Sequence, residues 1–123
     1  MVSVEAFKEG LKKLEVILQM EENEIVRDAT IQRFEFTFEL AWKAFRTFLK
    51  EAHGIVCNSP KTCFREGLSV GLYDVETAEA LLKMVDDRNS TTHTYNENTA
   101  QEIFDNIRNF HAANLRLLLE RIK

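Results

Sequence analysis

The stretch 31-IQRFEFTFELAWKAF-45 decides how this chain folds. Read at helical spacing, Phe34, Phe38, Ala41 and Phe45 form one line, which continues through Phe48 and Ala52. Ile31, Trp42 and Leu49 widen that line into a face broad enough to meet two neighbours. The pattern predicts a helix from about Ile25 to Ala52, stopped by Gly54. At 1.5 Å per residue it would span roughly 40 Å. The aromatic stripe reads as core, because stacking on nucleobases calls for basic residues interleaved on the same face, and this face lacks them.

Outward from this helix the same period recurs. Toward the amino terminus, Ser3 can cap a first helix carrying Phe7, Leu11, Leu14 and Leu18 on one stripe, and the polar run from Glu21 to Glu24 breaks the pattern. Toward the carboxyl terminus, Ser59 as cap and Pro60 at the first helical position open a short helix that closes near Gly67 or Gly71. Asp74 caps another, which sends Ala78, Leu81, Leu82 and Val85 inward. In 99-TAQE-102, Thr99 and Glu102 have capping-box spacing, and the last helix that follows carries Ile103, Ile107, Phe110, Leu117 and Leu118. No alternating run of strand length occurs between hairpin signals. The predicted architecture is all-α: an antiparallel up-and-down four-helix bundle with a short connecting helix, in one domain over residues 1–123.

Composition narrows the function classes. With 45% hydrophobic and 29% charged residues the chain is not a disordered tail. No apolar run approaches the ~20 residues that span a bilayer. The opening MVSVEAFKEG lacks a basic n-region followed by an apolar h-region, so the expected location is the cytoplasm. Cys57 and Cys63, in CNSPKTC, fit neither zinc-knuckle nor thioredoxin-like spacing and read as reduced structural cysteines. A net charge of −4 argues against broad wrapping of nucleic acid but leaves room for a local phosphate site.

A second stretch, 88-RNSTTHTY-95, is poor material for a helix interior. Its serine and threonines could simply satisfy backbone groups at a helix end. Its charged residues also fit a chemistry. Histidine, with a reference pKa of about 6.5, moves protons near neutral pH. Arginine is always charged and offers a planar fork to phosphate oxygens. Cleavage of RNA by its own 2′-hydroxyl needs those two functions and no metal. Arg88 and His93 are therefore the candidate catalytic pair, with Asn89 able to orient the phosphate or the arginine and the Tyr95 phenol close to both.

The same segment resembles the R-x4-H-x-Y motif of HEPN proteins, here Arg88, His93 and Tyr95, with Asn89 as the polar residue after the arginine. The helix 31-IQRFEFTFELAWKAF-45 is similar to the characteristic segment of the nucleotidyltransferase substrate-binding family. The resemblance implies a dimerising bundle and a partner, a separate minimal nucleotidyltransferase. It implies one of two roles. Either the chain is a passive substrate-binding subunit, or it is a toxin, a metal-independent RNase silenced by adenylylation of Tyr95. RNA or a nucleotide is the expected ligand, with no cofactor, no metal and no membrane.

Other constellations carry less. Arg46 and His53 share a helix face but lack the rest of the motif, so Arg46 reads as solvated and His53 as a helix-end cation. His111 reads as a packing or surface residue. Asp86 and Asp87 diverge by about 100° on a helix and cannot easily face one metal ion. Their expected role is to bind or buffer Arg88, or to meet a basic partner. No glycine-rich phosphate loop is present, so the chain is not itself the nucleotidyltransferase.

Overall fold

The helices that begin afresh after a loop each start at a polar side chain that accepts a free backbone N–H. In the computed structural model, which describes residues 3–123, Ser3 Oγ accepts from the Ala6 N–H at 3.1 Å and opens α1, Val4–Ile17. Asn23 accepts from Val26 at 2.8 Å and opens α2, Glu24–His53. Gly54, at φ +67°, stops α2 in the left-handed conformation that a side chain resists. Ser59 and Pro60 open α3, Pro60–Ser69, and Asp74 opens α4, Val75–Ser90. A 3₁₀ turn, Thr91–His93, prolongs α4. Asn96 then caps α5, Glu97–Asn106, and a π turn, Ile107–His111, leads directly into α6, Ala112–Ile122. No strand occurs among the described residues.

Named contacts fix how the helices run. Thr37 donates to the Gly10 carbonyl at 3.1 Å and Arg33 to the Lys13 carbonyl at 2.8 Å, so α1 and α2 are antiparallel. Arg27 near the start of α2 pairs with Glu97 at the start of α5 at 2.9 Å, which begins those two side by side. Arg116 of α6 pairs with Glu15 of α1. The α2 stripe is core as read: Phe34, Phe38, Ala41, Phe45 and Leu49 are buried, against Phe7, Leu11 and Leu14 of α1 and Leu115, Leu118 and Leu119 of α6. Phe64 of α3 closes the far side, 5.7 Å from the Phe45 ring.

Four local readings need correction. Asn96, not Thr99, caps the last helix: its side-chain carbonyl accepts from both Asn98 and Thr99, which leaves Thr99 inside the first turn. Phe110 is exposed and His111 takes the inward place, because the wide π turn shifts the register by one residue. Ala52 lies beyond the covered part of its stripe and is exposed. Cys57 and Cys63 are joined by a disulfide. Ser59 and Pro60 turn the chain between them so that their Cα atoms lie 5.3 Å apart, inside the bridging range of roughly 4.4–6.8 Å.

Candidate functional site

The segment 88–95 is the end of α4, its 3₁₀ extension to His93 and a turn at Thr94 and Tyr95, so most of its polar residues continue helical geometry rather than forming an open loop. Arg88, in the last turn of α4, reaches sideways to α2. Its guanidinium lies 3.5 Å from Glu35 and 3.8 Å from Glu39, and Nη1 donates to Thr91 Oγ1 at 3.1 Å. Thr91 is buried and stands between them, its hydroxyl 3.0 Å from Glu35 and 2.7 Å from the Arg88 carbonyl. Arg88 Nε is buried without a hydrogen-bond partner among the described residues.

His93 and Tyr95 project into solvent, Tyr95 with 83% of its surface exposed. Their rings meet edge-on at 6.0 Å. Tyr95 borders a shallow hollow with Asp28, Gln32, Glu35 and Thr94. Asn89 is turned elsewhere, into a recess against Ser59, Pro60 and Lys61 of α3. The structure thus pairs His93 with Tyr95 and places Arg88 and Tyr95 on two hollows that share Glu35. It does not bring Asn89 to either.

The acids beside Arg88 in sequence are not its partners. Asp86 pairs with Lys61 at 2.7 Å. Asp87 is buried and faces the π turn: Oδ2 lies 2.6 Å from His111 Nε2 and accepts from Asn106 at 3.0 Å, while Lys83 sits 3.1 Å from Oδ1. Burial opposes ionisation of this carboxyl. The hydrogen bonds from His111, Asn106 and Lys83 outweigh that and hold it below its ordinary range. His111 stacks on Phe34 at 5.4 Å, the packing role read for it. Arg46 is exposed and lies over the Trp42 ring at 4.8 Å, and His53 meets Phe48 edge-on. Among the described residues no three His, Cys, Asp or Glu side chains cluster as a metal site would need.

Sequence reasoning missed the contribution of α2. Glu35 and Glu39 bind Arg88 across the fold. On the same side Lys13, Arg33 and Phe36 border a cleft of about 490 Å³ that reaches Arg88. One signal was available: Phe36 falls off the apolar stripe, and it is 62% exposed.

Comparison with known proteins now bears on this site. The family model described as nucleotidyltransferase substrate binding protein like matches residues 3–123. The chain belongs to that family. A crystal structure of a protein from Thermus thermophilus is similar to this nucleotidyltransferase substrate-binding-like chain at 40% identity and a TM-score of 0.90, covering 95% of this chain and 98% of that one. No curated protein matches this member of the family. Among its described residues no helix is long and apolar enough to cross a membrane.

Proposed function

We propose that this chain is the HEPN-type partner of a separate minimal nucleotidyltransferase and that it cleaves RNA without a metal ion. The observation that carries this reading is the exposed His93–Tyr95 pair at the tip of α4, one turn beyond Arg88. In the cleavage step the ribose 2′-oxygen attacks the adjacent phosphorus and the 5′-oxygen leaves, giving a 2′,3′-cyclic phosphate. His93 moves a proton at an attacking or leaving oxygen, and Arg88 stabilises the charge that builds on the non-bridging oxygens. Two copies paired at this end, in the antiparallel up-and-down bundle that the helix contacts support, would set two such pairs in one cleft.

Tyr95 is the adenylylation acceptor in this reading. Its phenolic oxygen would attack the α-phosphorus of ATP on the partner, releasing pyrophosphate and leaving a phosphodiester-linked adenylate two residues from His93. That added negative charge competes for Arg88 and repels an RNA phosphate.

One observation favours the second reading, a substrate-binding subunit without catalysis of its own. Glu35 and Glu39 already occupy the Arg88 guanidinium, which a phosphate would have to win from them. Cleavage of RNA in the presence of a chelator separates the two. The ribonuclease reading expects activity that His93→Ala lowers by about 10²–10⁴-fold. Equal cleavage by both proteins, or none by either, rejects it. Incubation with the partner nucleotidyltransferase and ATP should add adenylate mass at Tyr95, and modification at another residue would remove Tyr95 from the account.

A further inference from the structure

We propose that the cleft between α1 and α2, closed at one end by Arg88, binds one nucleotide of a single-stranded RNA, an inference that rests on the ribonuclease reading above. The cleft encloses about 490 Å³, within the roughly 300–1,000 Å³ usual for small-molecule sites. Three cations border it, Lys13, Arg33 and Arg88, against two carboxylates, Glu35 and Glu39. Glu39 is itself met by Lys43 at 3.8 Å. Among the described residues neither Lys13 nor Arg33 has a carboxylate within 4.0 Å. Arg33 spends Nη1 on the Lys13 carbonyl at 2.8 Å, which fixes the rest of its fork at the cleft wall. A chain of net charge −4 therefore keeps a local excess of positive charge here. That suits a phosphate.

Phe36 stands in the same wall with 62% of its surface exposed. An aromatic face beside unpaired cations is the arrangement on which a base stacks while its phosphate is held. Gln32 and Glu35 border both this cleft and the hollow beneath Tyr95, so the two are continuous along about one turn of α2, ~5 Å. The hollow carries Asp28 and Glu35 and no cation, so it takes a base or ribose edge and leaves the phosphate to the cleft. Glu35 is the group the phosphate displaces from Arg88.

Fluorescence anisotropy of a labelled single-stranded oligoribonucleotide of mixed sequence tests this, on the full chain in a His93→Ala background so that the strand stays intact. Phe36→Ala should weaken binding about tenfold. Lys13→Gln with Arg33→Gln should flatten the slope of log affinity against log salt by about 1.4. Glu35→Gln should tighten binding several-fold, and Arg46→Gln, which removes one positive charge farther along α2, should leave it unchanged. Unaltered binding by the Phe36 and Lys13/Arg33 variants, or no binding by the parent, overturns the proposal. So does a fall in solution mass of Phe36→Ala with RNA affinity intact, which would assign Phe36 to a contact between copies. Full cleavage by the same Phe36 and Lys13/Arg33 substitutions made in a chain that keeps His93 sinks the cleft and spares the ribonuclease reading. Binding lost in the variants, with no cleavage by wild type, does the reverse.

Discussion

Asp87 and His111 show what one buried pair does for a site it does not enter. Asp87 adjoins Arg88 on α4, and its carboxylate is tied to the π turn through His111 and Asn106, so the last turn of α4 cannot rotate freely. The bonds that hold its pKa down stabilise the fold above the unfolded carboxylate value of about 3.9, and that contribution is lost as pH falls through the lower folded value. Asp87→Asn should therefore cost about 1–3 kcal/mol at pH 7, with the deficit shrinking below about pH 4, in denaturant titrations at the two pH values. A deficit that stays constant across that range would mean packing, not charge, sets the effect. Tyr95→Phe should lie at the other extreme, within about 0.5 kcal/mol of wild type by the same titration, because its phenol is exposed and makes no hydrogen bond among the described residues. The closeness of the His93 and Tyr95 rings was legible in the sequence because those residues lie two positions apart. Glu35 and the partner of Asp87 were not, because contacts between distant segments leave no local period to read.

At the scale of elements, the stripes of α1, α2 and α4 and the polar caps at Ser3, Ser59 and Asp74 were readable because burial on one face and orphan N–H groups both impose local patterns. In the last rod Ile103, Ile107 and Leu118 were readable, and Phe110 was misplaced because a π turn adds a residue that no period announces. The end of α3 shows how tightly its joints are fitted. Tyr73 donates to the Phe64 carbonyl at 2.6 Å, and a Cβ on Gly67 would stand 2.6 Å from Phe45 Cζ and clash with the Tyr73 ring. Gly67→Ala should cost about 1–3 kcal/mol by overpacking, read as a lower denaturation midpoint. A neutral result would mean that Tyr73 swings aside without loss. The disulfide sits just before this joint. By the chain-entropy estimate a loop this short contributes about 2 kcal/mol, so replacing both cysteines by alanine should lower the thermal midpoint by several degrees.

The whole molecule exposes 6800 Å² of surface, and a compact monomer of 14.3 kDa is expected to expose about 6,800 Å². Its core is closed by its own helices. The exposed large apolar side chains, Val16, Met20, Ile25, Phe36, Val56, Val75, Tyr95 and Phe110, belong to many elements rather than to one missing wall. Pairing with a second copy is therefore not needed to complete the fold, and any dimer is an association of already folded chains. Such an association stabilises by mass action and contributes only while the copies are bound. Over the dilution range in which light scattering shows the copies separated, the thermal midpoint should move by less than about 1 °C and the chain should stay folded. Unfolding that accompanied separation of the copies would show that the core borrows surface from its neighbour. The Arg88–Glu35 contact would then have to be read as one half of a larger interface.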